Sequence, residues 1–190
     1  DKYKCATPEF VQDVRCVYFN KVMPSIRDMV NSHSLIKSHE CVINDIPIHF
    51  GRQEDYEDYD DGKYLGLYRR NKDNTREIIL FEDAIKAEAK GDNDYLENLI
   101  WKVIIHEYAH AMMDTLQDDK IKSQDPKLYK YREESLANAF ALRTLKSEEN
   151  YFGQIKKFVE SQSEEYKHGL DLYERKDLFK LYTSDLKIVM

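Results

Sequence analysis

A chain of 190 residues, 42% hydrophobic and 34% charged, is long enough for one domain with a core and too apolar for a disordered segment. Its net charge of −7, without a basic stripe, argues against nucleic acid or anionic lipid as the main partner. The central apolar stretch Leu99 to Ile105 is broken by Lys102, and nothing approaches the roughly 18 apolar residues that a membrane span requires. Cys5, Cys16 and Cys41 form no Cys-x-x-Cys pair and lack zinc-ligand spacing, so one disulfide plus a thiol and three reduced thiols both remain open. The chain opens at Asp1 rather than Met, which leaves the localisation unknown; a soluble protein is expected, cytoplasmic or exported after removal of an N-terminal segment.

Thr7-Pro8-Glu9 is a helix start, with a capping hydroxyl, a proline in the first turn and an acid near the positive end. Phe10, Val14, Val17 and Tyr18 carry an apolar face onward to Pro24, where a kink or break is expected before a second piece reaching Val30. Asn31 to His39 reads as a polar loop. Cys41 to Phe50 looks like strand material interrupted by Asn44-Asp45 and Pro47, and predicts a bent strand or short hairpin. Gln53 to Asp61 is an acidic run. Counted back from Gly62, Tyr59 occupies a place where a calcium loop needs a ligand, so a solvated loop is the better reading.

Tyr64 to Arg70 and Arg76 to Phe81 flank the turn-rich Asn71-Lys72-Asp73-Asn74 and predict an antiparallel hairpin. Lys63, Arg69 and Arg70 suit the first strand to a sheet edge. A helix is expected from Asp94 to about Leu116. Asp118 to Asp125 is polar, and Asp125-Pro126 opens another helix to about Leu145. Two more follow, over Glu149 to Tyr166 and Leu170 to Leu181. Helix, then strands, then helices is an α+β order. A single domain is expected, with the sheet in about residues 1–117 and a helical part in 118–190.

The chemistry is concentrated in His106-Glu107-Tyr108-Ala109-His110. Two histidines four apart on a helix project from one face, so both imidazoles can bind one zinc ion. The glutamate beside the first can reach a water on that metal. Leu96, Leu99, Ile100, Val103 and Ile104 recur at helical spacing, with Trp101 and Ile105 on a flanking stripe. This helix should lie inside the domain, where two polar rings need partners.

A catalytic zinc takes three protein ligands and leaves a fourth position for water. His33, His39 and His49 precede the hairpin and His168 lies far downstream, all poor third ligands by position. The pair Glu133-Glu134 could bring a carboxylate across two packed helices. The two point about 100° apart, so only one can face the metal. From Glu134 the contact face runs through Ala137, Asn138, Ala141 and Leu145; from Glu133 it meets the bulky Phe140. Glu134 is therefore the expected ligand, with Glu133 facing solvent or one step behind the metal. Asp114 reads as a surface or helix-end residue, and Met112 and Met113 as core or pocket wall.

His-Glu-x-x-His-Ala-x-x-Asp over His106 to Asp114, followed by Glu134-x-x-Ala137-Asn138-Ala139-Phe140-Ala141, resembles the gluzincin group of zinc metallopeptidases. The resemblance covers about Tyr64 to Leu145 and points to a compact, single-domain member. It implies a zincin-like fold with a small antiparallel or mixed sheet, Zn2+ as cofactor and Glu134 as third ligand. Asn138 stands where that group usually has an aspartate orienting the first histidine; its amide oxygen can accept the imidazole N–H but adds less basicity. Peptide-bond hydrolysis is implied, with Glu107 as general base. An oxyanion donor is expected from the C-terminal helical part, with Tyr166 and His168 as candidates and Tyr129 and Tyr131 as rivals. A peptide or protein substrate would lie along edge strand Tyr64 to Arg70. The alternative is a catalytically silent zinc-containing binding or regulatory domain, or a protease held latent by its own tail, Tyr182 to Met190. A silent domain would have no reason to keep Glu107.

Overall fold

The computed structural model describes residues 6–56, 64–116, 125–176 and 178–183. Thr7 caps α1 (Pro8–Val17), its hydroxyl accepting the Phe10 N–H, and Phe10, Val14 and Val17 are buried. The chain does not break at Pro24. It widens into a π-turn at Tyr18–Val22 and continues as α2 (Met23–Asn31). Proline offers no N–H to the ladder and its ring presses on the carbonyl four residues back; the wide turn relieves both.

Two expectations fail in the next segment. Ser34–Lys37 is a short helix, α3, rather than loop, because Ile36 turns fully into the core. Glu40–Asn44 is α4 rather than strand, with Ile43 buried and Val42 left exposed. Each piece has one apolar anchor, and a single helical turn buries it without alternation. Only Ile48–Phe50 is extended, as β1.

β1, β2 (Gly66–Arg70) and β3 (Arg76–Leu80) form a sheet in the order β1-β3-β2. The hairpin is antiparallel as expected, with Tyr68 opposite Ile78, and β1 runs parallel to β3 with Ile48 opposite Ile78. β2 is thus an edge strand. Ile78 and Leu80 join the main core, while Ile79 packs with Leu67 and Phe81 on the other face.

A helix that the sequence pattern does not mark, α5 (Glu82–Ala89), follows; it buries Ile85 and Ala89, four apart. It leads through Lys90 and Gly91, both at positive φ, into α6 (Asn93–Thr115). Asp92 caps α6 by accepting the Tyr95 N–H, and every residue from Leu96 to Met113 except Glu97 is buried. α7 (Pro126–Leu145), capped by Asp125, packs on α6, with Ala137, Ala139 and Ala141 fully enclosed.

The helix expected to reach Tyr166 stops early. α8 is Glu149–Glu160, where the Ser161 hydroxyl donates to the Phe158 carbonyl at 2.6 Å, and the chain restarts as α9 (Glu164–Lys167). The helix expected over Leu170 to Leu181 is likewise two pieces, α10 (Gly169–Leu172) and α11 (Leu178–Thr183). The exposed Glu174, Arg175 and Lys176 between them present no face to bury. The fold is α+β, mostly helical, with a small mixed sheet. Cys16 and Cys41 are free and exposed. Cys5, Tyr59 with most of the acidic run, the polar segment from Asp118 and the tail from residue 184 lie outside the described residues. No described helix is long and apolar enough to cross a membrane.

Candidate metal centre

His106 and His110 stand one turn apart on α6, and α7 brings Glu134 to them. The two Nε2 atoms are 3.1 Å apart, and each lies 3.2 Å from Glu134 Oε2. Tetrahedral zinc with bonds of ~2.0–2.1 Å spaces its ligand atoms by about 3.3 Å. The three atoms therefore outline one face of a metal-sized tetrahedron, and the group could hold a metal ion. The donor set, two imidazoles and a carboxylate, suits zinc. Glu133 is neither on this triangle nor in solvent: His110 Nδ1 donates to its Oε1 at 2.8 Å. That bond fixes the His110 tautomer and leaves Nε2 for the metal.

Electrostatics separate the two rings. Burial pushes the His106 imidazole down to about 4, against the hydrogen bond that Glu134 accepts from it, so it is neutral. Burial alone would do the same to His110, but the carboxylates of Glu134 and Glu133 hold it well above its ordinary value. Burial would raise Glu134, yet the two imidazoles hold it well below the usual carboxylate range. Metal therefore competes with a proton on His110. Burial pushes the Glu107 carboxyl up to about 7, opposed by His110, Lys102 and the backbone N–H of Tyr68. A carboxyl poised near neutrality suits proton transfer.

β2 crosses α6 at Gly66. A Cβ there would lie 2.6 Å from Val103 Cγ1 and 3.5 Å from Glu107 Cγ, so only glycine allows the strand this close. Further along, the Tyr68 hydroxyl donates to Asp114 Oδ2 at 2.8 Å, and Arg70 and Arg76 flank that carboxylate at 3.7 and 4.0 Å. Asp114 ties the edge strand to the far end of α6 rather than lying idle at the surface.

On the other side, Tyr166 stacks on His106, ring centroids 5.7 Å apart at 12°. Gly169 lets its segment press against α7: a Cβ there would meet Asn138 Cβ at 2.8 Å. Asn138 Nδ2 donates to the Tyr166 carbonyl at 3.2 Å, while Asn138 Oδ1 and His106 Nδ1 are both buried without partners. The contact expected between Asn138 and His106 is not made. The amide has a donor that aspartate lacks, and that donor goes to the Tyr166 backbone. His168 is not in the cleft either; its Nδ1 lies 3.3 Å from Asp171 Oδ2 and its ring rests against Tyr131. Tyr166 and Tyr129 line the cleft, and His168 and Tyr131 do not.

One residue at the site is not marked by the sequence pattern. Lys102, which in the sequence only interrupts an apolar run, is buried on α6 one turn before His106. Burial lowers its ammonium to about 8, with Glu107 and Glu134 opposing, so it stays largely protonated at neutral pH. The signal was a lone lysine in a helix apolar on all sides.

An edge strand over a buried helix, with a His/His/Glu group on a two-helix crossing, is zincin-like architecture. The model of the zincin-like metallopeptidase family matches residues 56–128, which hold the hairpin, α6 and both histidines. Over that stretch the chain is similar to the zincin-like metallopeptidases. The matched stretch ends before Glu134, whose place beside the histidines comes from the geometry alone. No curated protein and no solved structure matches the chain.

Proposed function

We propose that the protein is a zinc-dependent endopeptidase, with His106, His110 and Glu134 as metal ligands and Glu107 as general base. One observation carries this reading: a metal-sized triangle of donors with a buried carboxyl, raised to about 7, beside it in the same cleft. When bound, zinc supplies a Lewis acid for the scissile carbonyl and lowers the pKa of its water to near ~7. Glu107 takes a proton from the attacking water and returns it to the leaving nitrogen. Burial, with Glu134 and Tyr64 beside it, holds the Tyr166 phenol far above its usual range, so its O–H remains a donor for the developing oxyanion. An extended peptide pairs backbone to backbone with β2, whose Gly66, Leu67 and Tyr68 line the cleft. A silent zinc domain leaves the poised Glu107 without a task. Glu107→Gln should keep its zinc and lose hydrolysis by roughly 10²- to 10⁴-fold. Hydrolysis at the wild-type rate would remove Glu107 as base and return the silent-domain alternative.

A further inference from the structure

Lys102 has no part in the hydrolysis described above, yet it is only 3% exposed. Burying an ammonium group is unfavourable unless a carboxylate pairs with it. Among the described residues no carboxylate lies at ion-pair distance from Lys102; its Nζ instead sits 5.5 Å from the centre of the Phe158 ring. Such a contact offsets only part of the desolvation.

Lys102 borders a small cavity that also meets Tyr64, Gly66, Glu107, Phe158 and Gln162. Tyr64, Gly66 and Glu107 line the main cleft as well, so this cavity adjoins it. Gln162 is 8% exposed, and its side-chain oxygen is buried without a partner. The cavity is thus lined by a cation with no carboxylate at ion-pair distance and by an unmet amide oxygen, and it is walled by aromatic rings. An apolar side chain entering it would leave both groups unmet, and a basic one would face a like charge at short range. A carboxylate would meet the cation, and the peptide N–H of the residue carrying it could serve Gln162.

We propose that this cavity is a specificity pocket for an aspartate or glutamate side chain of the substrate, adjacent to the scissile bond, with Lys102 as its counter-ion. The pocket takes its place in a reaction from the peptidase reading, but its binding preference stands without it.

Two measurements test it. Zinc-loaded wild type and Lys102→Met digest a peptide library, cleavage sites are read by mass spectrometry, and matched peptides differing only in Glu or Gln at the flanking position are then timed. Methionine keeps the length and apolar stem of the lysine, and zinc content checks that α6 is intact; Lys102→Gln serves if it is not. The wild type should favour Glu over Gln in kcat/KM by on the order of 10- to 100-fold, and the lysine variant should bring that ratio near unity. Cleavage with no acidic preference at either flanking position overturns the pocket, as does a preference that survives Lys102→Met. The second measurement needs no turnover: calorimetry of the same peptides on zinc-loaded Glu107→Gln, with and without Lys102→Met. Tighter binding of the Glu peptide that disappears with Lys102 supports the pocket even where no peptide is cut, an outcome that sinks the peptidase reading alone. Equal binding of the two peptides overturns the pocket.

Discussion

The two walls of the cleft are made differently. Along the α6–α7 crossing, ionisable side chains hold one another: His106 and His110 meet Glu134, and Glu133 holds His110 from behind. The facing wall, β2 and α9, offers backbone and rings: the Tyr68 N–H to Glu107, the bare Cα of Gly66 and the flat face of Tyr166 over His106. Side chains that hold one another in this way would fix where a metal sits. Backbone edges and ring faces set what can lie beside it. Damage to the first wall should remove the metal; damage to the second should spare the metal and change turnover.

Tyr166→Phe sharpens that division most. The ring stays on His106 and the hydroxyl is lost, so kcat should fall by roughly 10²- to 10³-fold with zinc content unchanged. A variant with wild-type kcat would take the oxyanion role away from Tyr166 and give it to Tyr129, the other tyrosine helix residue lining the cleft.

Gly66→Ala acts through position alone. The added carbon meets Val103 at 2.6 Å, so β2 must move away from α6 and Glu107. A displacement of this kind should lower kcat/KM by about 10- to 100-fold, again with zinc retained. If zinc is lost as well, the two walls are not separable and the comparison fails.

The smallest effect is on stability. The Glu107 carboxyl stands at about 7 in the folded protein against an ordinary 4.5. Its folded value is raised, so its contribution to stability is full below about pH 4.5 and is lost as pH rises through about 7, an amount of roughly 3 kcal/mol. Metal-free wild type should therefore lose more thermal stability between pH 5 and 8 than metal-free Glu107→Gln. Parallel Tm profiles for the two would show that the buried carboxylate is not the source.

The first wall was the more legible in the sequence, for a physical reason. Helical spacing fixes side-chain direction, so His106 and His110 had to share a face, and the small residues after Glu134 marked the side of α7 that could approach. Turn residues from Asn71 to Asn74 announced the hairpin in the same local way. The second wall depends on segments far apart in the chain. Nothing near Gly66 says that Val103 lies under it, and nothing near Lys102 says that Phe158 and Gln162 close round it. Asn138 shows a different limit. The resemblance placed it behind His106, but its amide carries a donor, and the fold uses that donor to hold Tyr166. Short apolar segments failed for a third reason: one anchor each, Ile36 or Ile43, is compatible with helix, strand or loop until the core around it is known.

The central claim is that Glu134, and not its neighbour, completes a zinc site with His106 and His110. Zinc affinity measured by chelator competition on wild type, Glu134→Ala and Glu133→Ala tests it most directly. Wild type should bind zinc stoichiometrically. Losing a ligand in Glu134→Ala should weaken binding by more than about 100-fold, whereas Glu133→Ala, which only frees the far side of His110, should weaken it by about tenfold. A larger loss in Glu133→Ala, or no stoichiometric zinc in the wild type, would contradict the account.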